Sequence, residues 1–107
     1  MVNKPSVTQF KQQAAIFKAL AHPGRLLMIS ELSQGERCVC DLTDLIGSDV
    51  STISKHLSVL KNAGIVQDEK RGAKVFYSLS IPCVLNFFSC VESVLEARVK
   101  ARAKLTG

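Results

Sequence analysis

Two cysteines separated by one residue are the part of this sequence best suited to chemistry. Cys38 and Cys40 stand in the charged segment 36–42, at the start of a short predicted helix. Thiolate sulfur is a soft ligand, so the pair would select trivalent arsenic, trivalent antimony, cadmium or mercury over magnesium or calcium. The alternative is that both are small buried hydrophobic side chains, but the charged neighbours favour a ligand role.

The spacing of the pair also predicts how binding would act. Residues two apart on a regular helix point roughly 200° away from each other, so Cys38 and Cys40 would face one ion only if the helix start unwinds. The pair is also predicted to be poorly placed to bridge itself by a disulfide. This helix supports the next helix along the chain. Binding of an ion by the two thiolates would therefore strain or displace that next helix.

Two more cysteines, Cys83 and Cys90, lie seven residues apart in the last predicted helix and so roughly on one side of it. One of them could supply a third sulfur to trivalent arsenic, or the two could form a separate dithiol site. They could equally be core residues. A different function, thiol redox or persulfide sensing, would use Cys83 and Cys90, or one of them with Cys38.

A DNA-reading surface is predicted on the helix that follows the Cys38/Cys40 segment. Its inner face carries Ile53, Leu57 and Leu60. Its outer face offers hydroxyls, a cation and an imidazole to base edges and phosphates: Ser51, Thr52, Ser54, Lys55 and His56. Taken alone, this face is equally typical of an ordinary solvated helix. Basic residues that would bracket it as phosphate clamps favour DNA: Lys61, Lys70, Arg71 and Lys74.

The elements that position these side chains follow from periodicity. A first amphipathic helix is predicted over residues 6–21, and two shorter helices follow it. The second of these and a recognition helix over about 50–63 make a helix-turn-helix, and β-prone runs over about 65–79 make a wing. A last helix is predicted over about 82–101. The fold class is therefore mainly α with a small β-hairpin, a single winged helix-turn-helix domain over residues 1–107.

Apolar residues cover more of the last helix than one domain of this size can hide. The first and last helices are predicted to bury this surface against a second copy, which gives a two-fold homodimer. The alternative is that the surface closes over its own domain. A dimer would present two recognition helices about one DNA turn apart, so the predicted site is an inverted-repeat operator in double-stranded DNA. Only residues 101–107 are predicted to fray.

Composition narrows the function classes. Fourteen Lys and Arg against nine acidic residues give a net charge of +5, which favours a polyanionic partner. No apolar run approaches the ~20 residues that cross a bilayer, and no apolar signal core follows Met1, so we expect a cytoplasmic chain with reduced thiols and no membrane partner. The sequence offers no paired acid and base, Gly-rich phosphate loop or activated nucleophile, so no enzyme is expected. A DNA-binding protein without any ligand stays open.

The chain resembles the ArsR/SmtB family of metalloregulatory winged-helix repressors. Five segments carry the resemblance: Leu20-Ala21-His22-Pro23-Gly24-Arg25, Cys38-Val39-Cys40-Asp41-Leu42, Ser51-Thr52-Ile53-Ser54-Lys55-His56-Leu57, Leu60-Lys61-Asn62-Ala63-Gly64-Ile65-Val66 and Arg71-Gly72-Ala73-Lys74-Val75-Phe76-Tyr77. The resemblance implies a homodimeric repressor that leaves its operator when inducer binds, with no required cofactor. The Cys-Val-Cys-Asp-Leu segment is similar to the arsenical and antimonite branch, which implies arsenical resistance and an inorganic or organic As(III) or Sb(III) inducer.

Three departures from the family pattern bear on the inducer. The arsenical branch often adds a third thiol three residues after the pair, where this chain has Thr43. Cadmium and lead branches add cysteines in the N-terminal arm, and this arm has none. The Asp and His pairs that bind zinc in the last helix of other members are missing, which argues against a zinc or cobalt sensor.

Overall fold

The computed structural model describes residues 6–106 and confirms the predicted fold class, mainly helical with a small antiparallel sheet. The first five residues, which bear on the absence of a signal core, and Gly107 lie outside the described residues. The elements are α1 Val7–Leu20, α2 Pro23–Leu32, β1 Arg37–Cys38, α3 Val39–Ile46, α4 Val50–Asn62, β2 Val66–Arg71, β3 Lys74–Leu79 and α5 Val84–Thr106.

Local chemistry sets the ends of the helices. The Ser6 hydroxyl accepts from the backbone N–H of Gln9 and caps α1, and the Asp49 carboxylate accepts from the N–H of Thr52 and caps α4. Gly47 ends α3 at a φ of 78°, a left-handed conformation that glycine adopts at little cost. The tight turn at Gly47 lets α4 follow α3 after three residues, which is the helix-turn-helix geometry.

The core lies between α2, α3, α4 and the sheet. The predicted inner face of α4 is confirmed, because Ile53, Leu57 and Leu60 are fully buried. The sequence pattern also predicted Leu26 and Leu27 in the apolar set of the second helix and Leu45 as a buried residue of the third, but all three are exposed. The buried positions of α2 are Met28, Ile29 and Leu32. A ten-residue helix has no room for a clear periodic signal, so its inner face could not be read from spacing alone.

The sheet has three strands rather than the predicted two-stranded hairpin. Its order is β1-β3-β2, and both pairs are antiparallel. Residues 37 and 38 pair with Tyr77 and Phe76 of β3, so Cys38 lies at the junction of the sheet and α3. A two-residue strand carries no alternation pattern, which is why the sequence did not predict it.

Helix α5 begins later and continues further than predicted. It starts at Val84, so Cys83 precedes it, and it extends to Thr106, so the expectation of fraying from residue 101 was wrong for the described residues. Alanine, lysine, arginine and leucine dominate this end of the chain, and all four favour helix. A 23-residue helix is about 34 Å long.

Apolar faces of α1 and α5 have no partner within the described protomer. Phe10 and Phe17 on α1 are about half exposed, as are Val91, Val94 and Leu95 on α5. The radius of gyration is 17.1 Å, whereas a compact domain of this length has about 13 Å. The protomer is therefore extended, and its core covers only the end of α1, at Ala19 and Leu20, and the start of α5, at Val84.

Among residues 6–106, no helix is both long enough and apolar enough to cross a membrane.

Candidate functional site

The outer face of α4 is open to solvent at four of its five predicted DNA-contacting positions. Ser51, Thr52, Ser54 and Lys55 are all exposed. A shallow groove of about 570 Å³ runs along this face, and Thr52, Ser54, Lys55 and Arg25 contribute to its walls. Hydroxyls beside a cation on a protruding helix can donate to phosphates and to base edges.

His56, the fifth predicted position, is held by the protein itself. Its Nδ1 accepts a hydrogen bond of 3.1 Å from Arg25 Nε, and Arg25 Nη1 also donates to the backbone carbonyl of Ala19. The ring of His22 lies 4.3 Å from that of His56, centroid to centroid. His22 Nδ1 accepts from the N–H of Gly24 and caps α2. His56 thus fastens α4 to the corner between α1 and α2, while its predicted contact with DNA stays a prediction.

This cluster predicts a pH-dependent stability. Burial lowers the pKa of His56, and the neighbouring His22 and Arg25 lower it further. A proton on Nδ1 would face the Arg25 donor, so the folded state disfavours the cationic form that the unfolded state takes up near its ordinary pKa of about 6.5. The stabilising contribution is therefore present above that pH and is lost as the pH falls through it.

We expect the free energy of unfolding, measured by urea denaturation, to fall between pH 7.5 and 5.5, and to fall less in His56→Gln. An equal pH dependence in the two proteins would show that His56 is not the group responsible.

The wing presents its charges unequally. Arg71 donates to both carboxylate oxygens of Glu36 at 2.6 Å, donates to Glu69 at 2.9 Å and stacks on the Phe76 ring. The two hydrogen-bonded carboxylates raise its pKa further above the usual arginine range. No ion pair within residues 6–106 involves Lys70 or Lys74. Lys70 and Lys74 are therefore available to bind DNA phosphates. Arg71 would first have to break its hydrogen bonds with Glu36 and Glu69.

Lys61, predicted to act with the wing, is also paired. Its Nζ lies 3.0 Å from the carboxylate oxygens of Asp68 on β2, and this contact raises the pKa of Lys61. The pair is exposed, and exposed ion pairs contribute little to stability. A phosphate can therefore compete with Asp68 for this cation.

The predicted geometry of the thiol pair was wrong. The structure joins Cys38 and Cys40 by a disulfide, with their Cα atoms 5.4 Å apart, and α3 remains regular. The reason is that Cys38 is not a helical residue. It is the N-cap of α3 in extended conformation, with φ −80° and ψ 164°. The angular rule for two helical residues does not apply, and the sulfurs meet without unwinding of the helix.

Asp41 completes this site and was not predicted as a ligand. The Cys38 sulfur accepts from the Asp41 N–H, and an Asp41 carboxylate oxygen accepts from the Cys38 N–H, each at 3.4 Å. The donor atoms of Cys38, Cys40 and Asp41 all lie within 4.8 Å of one another. Cys38 is buried, and the other two residues are exposed. Once the disulfide is reduced, two thiolates and one carboxylate oxygen would suit a soft ion. The capping-box spacing of residues 38 and 41 was the available sequence signal for Asp41.

The thiol site is linked to the wing by two routes. Cys38 pairs with β3 through the sheet, and Glu36, two residues earlier in the chain, holds Arg71 of β2. The same Cys38 caps α3, which packs on α4, and the buried side chains of Leu42 and Ile53 belong to the same core cluster. One residue therefore contacts the supports of both predicted DNA-binding elements.

Cys83 and Cys90 lie outside this cluster in the described protomer, and both are exposed free thiols. Of the alternatives left open for these two cysteines, core packing within one protomer is therefore not observed. Neither supplies a third sulfur to Cys38 and Cys40 within the described part of one chain. Their use across a dimer, or in redox or persulfide sensing, stays a prediction.

Comparison with known proteins identifies similar chains. The family model for bacterial regulatory proteins of the arsR family matches residues 22–68. A transcriptional repressor SmtB homolog from Synechocystis sp. is 36% identical over 91 residues, which cover 85% of this chain and 69% of the relative. A cadmium resistance transcriptional regulatory protein CadC homolog from Staphylococcus aureus is 46% identical over 67 residues, covering 62% of this chain and 55% of the relative.

A solved structure shares the fold. The homodimeric winged helix-turn-helix DNA-binding domain from Mycobacterium bovis, a possible ArsR-family transcriptional regulator, superposes with a TM-score of 0.77 at 28% identity. The match covers 94% of this chain and 95% of that domain.

Proposed function

This chain belongs to the ArsR/SmtB family of bacterial transcriptional regulators, and on that premise we propose that it is a metal-responsive, DNA-binding repressor whose inducer binds Cys38 and Cys40. The family comprises regulators rather than enzymes. The observation that carries the proposal is the cluster of two sulfurs and one carboxylate at the first turn of the helix beneath the recognition helix. A DNA-bound regulator of this kind acts in the cytoplasm.

The operator contact proposed here uses α4 and the wing. Thr52, Ser54 and Lys55 would enter the major groove, while Lys70 and Lys74 would meet the phosphates on either side. Exposure of the α4 hydroxyls and the absence of ion pairs at the two wing lysines, within the described residues, support this assignment. The double-stranded operator would be an inverted repeat, because two copies of the chain would bind it.

A homodimer is proposed through α1 and α5. The apolar groove between Phe17, Phe87, Val91 and Leu95 has a volume of about 450 Å³ and is lined by side chains of both helices. Phe17 and Phe87 already contact each other at 5.3 Å, centroid to centroid, which holds α1 beside α5. The homodimeric state of the structural neighbour from Mycobacterium bovis supports a second copy as the partner of this surface.

The inducer we propose is a soft thiophilic ion, trivalent arsenic or antimony first. The described cluster provides two sulfurs, which is the number that an arsenical with one organic group requires. Arsenite or cadmium could add the carboxylate of Asp41. The cadmium resistance relative supports a soft ion in general, and the choice within that class is the part of the proposal that experiment must decide.

Release from DNA would follow from competition for the cap of α3. A Cys38 thiolate that binds an ion loses its role as acceptor for the Asp41 N–H, and a carboxylate that turns towards the ion leaves the N–H of Cys38. Loss of an N-cap costs about 0.5–2 kcal/mol. Such a change lies within the usual range of allosteric coupling, about 1–3 kcal/mol. Loss of the cap would affect α4 because α3 packs against it. It would affect the wing because β1 pairs with β3 and Glu36 binds Arg71.

The test uses the fully reduced protein and fluorescein-labelled DNA from upstream of its own gene, followed by fluorescence anisotropy. Arsenite, phenylarsine oxide and cadmium are titrated in turn into the complex, with the Cys38→Ser/Cys40→Ser variant alongside. Serine is a preferred N-cap residue, so the variant should fold and bind DNA. We expect about 5–150-fold weaker DNA binding in the wild type with inducer and no change in the variant.

Release of both proteins would place the inducer elsewhere. Release of neither, by any of the three compounds, would contradict the proposed inducer site.

A further inference from the structure

The Cys38–Cys40 pair is a disulfide in this structure, and α3 with its N-cap is fully formed in the same structure. Their Cα separation of 5.4 Å lies inside the range of about 4.4–6.8 Å that disulfides span. The fully buried side chains of α4 remain packed in this form. The oxidised pair is thus compatible with an intact helix-turn-helix.

The two sulfurs differ in their access to solvent. Cys40 is exposed, whereas Cys38 is 4% exposed and lies against the sheet. An oxidant in solution would therefore meet Cys40 first, and Cys38 is held next to it. An exposed thiol beside a resolving thiol is the arrangement of a reversible oxidation site.

We propose that Cys38 and Cys40 are an oxidation site for hydroperoxides, and that their disulfide closes the ion site while the protein stays on DNA. The Cys40 thiolate attacks an oxygen of the hydroperoxide and the O–O bond breaks. The products are a sulfenic acid and hydroxide or alkoxide, which takes up a proton to give water or an alcohol. The Cys38 thiolate then attacks the sulfenic sulfur, forming the S–S bond and releasing hydroxide, which takes up a proton to give water. The two thiols lose two electrons and two protons, and the hydroperoxide accepts them.

The consequence for regulation rests on the proposed function. A sulfur within a disulfide has no thiolate to give to a metal ion. The ion and the disulfide therefore exclude each other. Since the disulfide leaves α3 and α4 intact, the oxidised repressor keeps its operator and no longer responds to inducer. Oxidation of this pair would therefore maintain repression even when inducer is present. A redox sensor that leaves DNA when oxidised would give the opposite result.

The experiment uses full-length protein carrying Cys83→Ser and Cys90→Ser, so that the only thiols are the pair in question. Reduced protein is treated with hydrogen peroxide and then alkylated with N-ethylmaleimide, and intact mass and non-reducing electrophoresis are recorded. We expect a monomeric chain that has lost both alkylation sites. Single variants Cys38→Ser and Cys40→Ser in this background should form no such product.

Operator binding and arsenite response are measured on the same samples. The oxidised protein should bind the operator within about fivefold of the reduced protein, below the usual coupling range. It should ignore arsenite, phenylarsine oxide and cadmium, and dithiothreitol should restore the response. Two alkylatable thiols after peroxide, a disulfide between chains, or an oxidised protein that leaves DNA would each overturn the proposal.

The experiments distinguish failure of the proposed inducer site from failure of the proposed oxidation site. If the reduced protein responds to none of the three compounds, the inducer site proposed above fails, and the closure of an ion site fails with it. The mass measurement still decides whether the pair is an oxidation site. If the reduced protein responds and peroxide leaves both thiols free, only the oxidation proposal fails.

Discussion

Replacing Lys55 by glutamate is expected to weaken operator binding by about thirtyfold or more, an estimate from about 1–3 kcal/mol for each lost contact in two copies of the chain. Lys55 is exposed on the outer face of α4, beside the groove that Thr52 and Ser54 also line. A carboxylate there would both remove a cation and repel phosphate. Because the side chain makes no core contact, the unfolding free energy should change little.

The control for charge is Lys104→Glu, which makes the same change of two units at the far end of α5. It should leave operator affinity within about fivefold of the wild type. Fluorescence anisotropy across a salt series adds a second readout. Removing one DNA-facing cation from each protomer should reduce the magnitude of the slope of log K against log salt by up to about 2 for a dimer. Equal losses in the two variants would indicate a general charge effect and contradict a specific role for Lys55.

Sequence reasoning succeeded where a pattern extends over several turns or has a local chemical cause. The stripe of Ile53, Leu57 and Leu60 and the caps at Ser6 and Asp49 could all be predicted, because periodicity and short-range hydrogen bonding determine them. This accounts for the helix-turn-helix. The same reasoning placed the exposed hydroxyls of α4 on the outer face.

The failures concern pairings between residues distant in sequence. Arg71 meets Glu36 across 35 positions, and Arg25 meets His56 across 31, and no spacing rule connects such residues. Arg71 and His56 were both predicted to contact DNA, and neither partner could be foreseen from the sequence. The two-residue strand β1 was missed for the same reason, because its existence depends on β3.

The thiol pair shows how a small error in an element boundary changes the chemistry. Placing residue 38 inside a regular helix sends the two sulfurs apart, whereas placing it one position before the helix brings them together. Boundaries are the least certain part of a helix prediction, and an N-cap has extended rather than helical dihedral angles. The route to release therefore changes from unwinding of α3 to competition for its cap.

Introducing a charge on the apolar face of α5 should have the other large effect. Val91 is 43% exposed in the protomer and lines the groove with Phe17 and Leu95. Within a dimer, Val91→Glu would bury one carboxylate from each copy, and burial of an unpaired charge costs several kcal/mol. We expect the dimer dissociation constant to rise by about a thousandfold or more, since 4.1 kcal/mol corresponds to that factor.

Loss of the dimer should in turn abolish tight operator binding, because a single protomer retains only half of the phosphate contacts. Ser93→Glu is the matched control, two residues further along α5 and on its opposite, solvent-exposed side. Sedimentation velocity should show monomers for Val91→Glu and dimers for Ser93→Glu, and circular dichroism should show helix in both. A dimeric Val91→Glu would mean that α5 faces solvent in the assembly, and the apolar surface of α1 and α5 would then need another occupant.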